Sequence, residues 1–120
     1  MSTGNQQHRE RVTDLHYLVG LSEGNQEFVK EMVQTFISEN PKELQEVEKG
    51  ISERDFNLIR HGAHSMKSTI PFVGIDTLIG RAVAEIEQLA KRKEGLSKIE
   101  ELFASVRDVC HRAITELNAG

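Results

Sequence analysis

At 120 residues, with 28% charged and 38% hydrophobic side chains, the chain has the length and composition of one folded domain and is too short for two. A net charge of -4 and a pI of about 5.7 argue against a nucleic-acid partner, which wants a concentrated basic surface, and no apolar run approaches the roughly 20 residues that span a bilayer. The single cysteine, Cys110, excludes an internal disulfide and fits a reducing compartment, so the cytoplasm is the expected location.

Apolar residues recur at helical spacing almost throughout, behind a polar N-terminal tail over residues 1–11. The folded domain is expected over residues 12–120. A short first helix runs from Thr13 or Asp14, either of which can cap it, to Leu21, and Ser22-Glu23-Gly24-Asn25 breaks it. Asn25 caps a long second helix from Gln26 to Ile51. The first half of that helix carries a doubled stripe, Phe28/Val29, Met32/Val33 and Phe36/Ile37, wide enough to predict contacts on two sides. Asn40-Pro41 is expected to kink or briefly interrupt it, since proline lacks the N–H donor and crowds the preceding turn.

Asp55 caps a third helix over Phe56 to Val73, which Gly74 ends, and Asp76 caps a fourth through Lys93. The inner face of the fourth helix is read as Leu78, Ile79, Ala82, Val83, Ile86 and Leu89. Glu94-Gly95 turns the chain into a last helix from Ser97 to Leu117. Short loops between long amphipathic helices mean antiparallel neighbours. The expected fold class is all-α: an antiparallel up-down four-helix bundle with a short additional N-terminal helix.

The third helix carries the chemistry. Phe56, Ile59, Ala63, Met66, Ile70 and Val73 are spaced by alternating threes and fours, which is a bundle-core seam. At about 100° per residue, His64 falls roughly 130° from the centre of that seam and faces solvent or a shallow groove. Arg60, His61, Lys67, Ser68 and Pro71 share its face. His64 and Lys67, at i and i+3, are surface neighbours, so the ammonium reaches the same patch as the imidazole. Neutral imidazole is a nucleophile near pH 7 and can attack a phosphoryl group to form a phosphoramidate. Lys67, with Arg60 one turn earlier, would offset the charge of the phosphoryl oxygens. The small residues Gly62, Ala63, Ser65 and Ser68 are read as leaving room for a partner to approach.

Other chemistries fit less well. His61 and His64 have metal-ligand spacing, but no third ligand stands near them in the sequence and no H-E-x-x-H pattern occurs. Cys110 and His111 are consecutive and so point apart on a helix, which makes Cys110 a core residue. His8 and His16 are assigned no chemical role. No phosphate-cradling glycine loop of the G-x-x-x-x-G-K-[ST] type is present, so the phosphoryl group must come from another protein.

Ala63-His64-Ser65-Met66-Lys67-Ser68-Thr69, followed by Val73-Gly74-Ile75, resembles the A-H-S-L-K-G-S … L-G-A motif of the histidine-containing phosphotransfer (HPt) domains of two-component phosphorelays. The resemblance covers roughly residues 12–117. It implies a non-enzymatic phosphocarrier in which His64 exchanges a phosphoryl group with an aspartate of a response-regulator receiver domain, or takes it from a hybrid sensor histidine kinase. It further implies that Lys67 stabilises the phosphoryl group, and that no cofactor is held here, the Mg²⁺ belonging to the partner receiver. Arg60, His61, Ser68, Pro71 and Phe72 are the expected receiver-docking residues, and a monomer is the expected state. Ser68 stands where the family usually has glycine. The competing reading is a non-phosphorylated helical adaptor that binds a receiver or kinase.

Overall fold

The computed structural model describes residues 11–119, and all regular structure among them is helical. The expected tail therefore lies outside the described residues except for Arg11, and so does His8. Helix α1 spans His16–Ser22, α2 spans Gln26–Glu53 and α3 spans Phe56–Thr69; a 3-10 turn follows at Ile70–Val73, then α4 over Asp76–Arg92 and α5 over Leu96–Ala119. Successive long helices lie side by side, and α5 returns to α2 to close the ring. Helix α1 lies against α2 and the 3-10 turn. This is the up-down four-helix bundle with an additional N-terminal helix that the apolar periodicity predicts.

Local signals set most of the helix ends. The Asn25 side chain accepts from the Phe28 N–H at 3.1 Å, and Asp55 accepts from the Leu58 N–H at 3.1 Å; each satisfies a donor that the first turn of a helix leaves unpaired. Gly74 ends the 3-10 turn at φ 78°, where a Cβ would also collide with the Asp14 carbonyl oxygen. Phe36, Val47, Ile59, Val83, Ile99 and Val106 are buried in one continuous core drawn from all four long helices. Burying side chains of this size contributes about 1.5–3 kcal/mol each.

The structure departs from the sequence reading at five places in the fold, the first being the end of α3: the helix expected to reach Val73 stops at Thr69, and Pro71, which has no N–H to continue the ladder, falls in the 3-10 turn Ile70–Val73. Helix α1 begins at His16, with neither Thr13 nor Asp14 in the capping position. The cause is tertiary: the Val12 and Thr13 N–H groups donate to the Glu116 carboxylate at 2.8 and 3.0 Å, and the Asp14 N–H donates to the Val73 carbonyl at 2.8 Å. Those bonds commit residues 12–14 to a strap across α5 and the 3-10 turn. Helix α2 runs through Pro41 without interruption. Proline removes only the bond to the Ile37 carbonyl, and the buried Phe36, Asn40 and Leu44 hold the helix on both sides of the gap. Asp76 is the first residue of α4, the cap position being Ile75, so its carboxylate acts on the helix dipole and makes no capping bond. Leu78 is 57% exposed, because the stripe that reaches the core is Ile79, Val83, Ile86 and Ala90.

Candidate functional site

Helix α3 presents three faces, and each meets a different environment. Ile59, Ala63 and Met66 point into the core. The side turned to α2 carries Gly62, Ser65 and Thr69. Gly62 is buried, and a Cβ built on it would stand 2.7 Å from Val47 Cγ2 and 3.2 Å from the Glu43 carbonyl oxygen. Gly62 therefore lets α2 and α3 approach closely, which corrects its assignment to partner access. Ser65 is likewise turned inward: its Oγ donates to Glu43 Oε2 at 2.7 Å, and Thr69 Oγ1 donates to Glu43 Oε1 at 2.9 Å. Burial pushes the Glu43 carboxyl above the usual carboxylate range despite those hydroxyl donors.

The side turned to α4 holds His64 and Lys67. The His64 side chain is 70% exposed and that of Lys67 48%. Both are tied to one carboxylate, that of Glu87 on α4, whose side chain is only 11% exposed. His64 Nδ1 lies 2.7 Å from Glu87 Oε2, and Lys67 Nζ donates to Glu87 Oε1 at 2.9 Å. Burial works to raise the Glu87 carboxyl, but the Lys67 and His64 hydrogen bonds and charges outweigh it and hold the group below the usual carboxylate range. Glu87 is therefore ionised at neutral pH. The site is an exposed imidazole fixed through Nδ1 on a rigid helix, with a cation one turn further along.

The other predicted residues are spread around this pair. Arg60 is exposed one turn before His64 on the same side of α3 and has no ionic partner among the described residues. His61 is exposed but turned toward α2, its Nδ1 lying 2.8 Å from Glu46 Oε2. Ser68 is exposed, and its hydroxyl donates back to the Ser65 carbonyl at 2.9 Å, so it is committed to its own helix. Pro71 is half-buried beside α1, where it lines a cleft of about 430 Å³ with Asp14, Tyr17 and Asp76. Phe72 is half-buried and packs against the core.

His61 and His64 thus lean on carboxylates of different helices, and no group of three or more histidine, cysteine or acidic side chains able to hold a metal forms among the described residues. Cys110 is buried, its thiol pushed up to about 12 by burial, while His111 is exposed.

Glu87 and Glu43 are the residues that sequence reasoning missed. Each interrupts an apolar stripe: Glu87 falls between Ile86 and Ala90, and Glu43 stands beside Leu44 and Val47. A carboxylate on a buried face requires partners, because an unpaired buried charge is costly. That signal was present in the sequence, but the identity of the partners was not.

A family model described as Hpt domain matches residues 31–120, three quarters of the chain and all of α3 and α4. A comparison with curated proteins finds no match, and neither does one with solved structures.

Proposed function

Because the chain belongs to the Hpt domain family, whose members are phosphocarriers of two-component signalling, we propose that His64 is its phosphoryl acceptor and Lys67 the cation that offsets the charge of the phosphoryl group. The partners in this reading are a response-regulator receiver domain and, as donor or recipient, a hybrid sensor histidine kinase. The receiver supplies the acidic pocket and its Mg²⁺; this chain supplies the nucleophile and a docking face. Among the described residues no helix is long and apolar enough to cross a membrane. Cytoplasmic location is part of the proposal and rests on the nature of these partners.

The observation that carries the assignment is a histidine 70% exposed on a helix whose opposite face is locked in the core, with Lys67 one turn away. Such a nucleophile is held in place before a partner arrives, which limits the ordering cost of docking. The surrounding residues suit the same role. Arg60 adds a second cation on the approach side. Ser68, bonded to its own helix, leaves the space in front of His64 to the incoming group.

Incubation with a phosphorylated receiver domain, followed by intact-mass analysis, tests this. The expected result is one acid-labile, base-stable phosphoryl adduct that maps to His64 and is absent from His64→Gln. Tight receiver binding by both proteins with no adduct on either would refute phosphotransfer through His64 and favour the adaptor reading.

A further inference from the structure

Two carboxylates are buried in the bundle, and only one of them has a cation. Glu87 is paired with Lys67 and His64, whereas Glu43, 4% exposed, makes no ion pair among the described residues. The titratable groups around Glu43 do not make up the deficit. On its own helix Glu39 adds a second negative charge. On α5 Cys110 is a neutral thiol that the Glu43 charge helps to keep protonated, and on α3 His61, the ionisable side chain turned the same way, is held by Glu46. What surrounds the carboxyl instead is neutral: the Asn40 amide, Ser65 Oγ at 2.7 Å and Thr69 Oγ1 at 2.9 Å. An unpaired buried charge is costly, and a carboxyl avoids that cost by keeping its proton.

The hydrogen-bond geometry has a place for such a proton. A hydroxyl accepts as readily as it donates. Thr69 Oγ1 has a second acceptor in reach, the Met66 carbonyl at 3.3 Å, toward which its own hydrogen can turn. Ser65 Oγ has no other acceptor among the described residues and stays a donor to Oε2. The contacts therefore accommodate a relay in which protonated Oε1 donates to Thr69 and Thr69 donates to Met66. The pocket is also short of hydrogens. Asn40 Oδ1 is buried with no partner among the described residues, while Asn40 Nδ2 donates to Cys110 Sγ at 3.5 Å. A proton on Glu43 adds a donor where acceptors are in excess.

We propose that Glu43 is a proton-operated latch between α2 and α3: the folded protein keeps a proton on this carboxyl where an exposed glutamate has lost it, and release of that proton to solvent loosens the helix that carries His64. Ser65 directly follows His64, and Gly62 makes the close contact with α2, so the latch lies in the seam on which the site is seated. The inference stands independently of the assignment of His64 as acceptor.

Carboxyl 13C spectra of the intact protein with labelled glutamate, recorded along a pH series, follow Glu43 Cδ directly. The signal missing from Glu43→Gln identifies it, or a through-bond assignment should that variant not fold. We expect its midpoint above the ordinary glutamate value of about 4.3. Amide exchange reads the latch itself. Opening the seam restores an ordinary glutamate, so the opening equilibrium of the α3 amides around Thr69 should rise between about pH 4.3 and the Glu43 midpoint, by up to about tenfold per pH unit, and level off above it. Glu43→Gln, whose amide NH2 donates to Thr69 at every pH, should lack this rise. A Glu43 midpoint at or below about 4.3 overturns the proposal by itself. So does a wild-type opening equilibrium that stays flat across that range, whether or not the variant folds, or one that rises equally in Glu43→Gln.

Discussion

Gly62 separates two physical accounts of the residues around His64, and Gly62→Ala distinguishes them. If the glycine served partner access, alanine would stabilise the helix by about 1 kcal/mol through propensity alone and would impair docking. The structure predicts the opposite. The added methyl would stand 2.7 Å from Val47 Cγ2, 3.2 Å from the Glu43 carbonyl oxygen and 3.3 Å from the Val47 nitrogen. Two of those atoms are backbone, and the third belongs to a fully buried, β-branched side chain with little freedom at χ1. Overpacking of this kind costs about 1–3 kcal/mol, here toward the upper end because none of the three atoms can swing aside. Set against the gain in propensity, the net is a loss of about 1–2 kcal/mol. For a domain of this size that lowers Tm by roughly 4–10 °C. Calorimetry on the wild type and Gly62→Ala measures the shift, and phosphoryl transfer assayed well below both transitions measures access. A raised Tm with slowed transfer would refute the packing argument.

Two carboxylates give pH-dependent predictions of opposite sign. Burial raises the Glu43 carboxyl, with the neighbouring Glu39 charge adding to it and the Ser65, Thr69 and Asn40 side chains opposing it. A raised group contributes stability that is fully present below its unfolded pKa and is lost as pH rises through its folded pKa. Glu43→Gln should therefore gain stability relative to the wild type as pH climbs from about 4 toward 7; chemical denaturation along that series checks it, and a constant difference would contradict it. Burial also tends to raise Glu116, but its bonds from the Thr13 N–H and hydroxyl and the Val12 N–H, together with the Arg11 charge, win and lower it. Its contribution is present above the unfolded pKa and is lost as pH falls through the folded one. Glu116→Gln leaves a donor facing one of those N–H groups and should cost about 1–3 kcal/mol at pH 7, less in acid. Amide exchange should show the loss first at Val12 and Thr13.

The sequence by itself determined the helices and the nucleophile. Apolar spacing marks α3 from Phe56 onward, Asn25 and Asp55 announce two helix starts through short-range bonds, and the i, i+3 rule puts Lys67 beside His64 on any α-helix. Each of these depends on residues within a turn or two, so local rules suffice. What lay outside them depended on how helices meet. Residues 12–14 look like a helix start until Glu116, more than a hundred positions away, takes the Val12 and Thr13 N–H groups and the Val73 carbonyl takes that of Asp14. Gly62 looks like an opening until α2 is seen against it, and Leu78 looks like core until the rotation of α4 turns it outward. Glu87 is the sharpest case: it lies 23 positions after His64, and only the antiparallel packing and rotation of α3 and α4 bring its oxygens to both His64 and Lys67. Helical periodicity specifies which residues share a face, but which faces meet, and at what height, is set by the packing of the whole core.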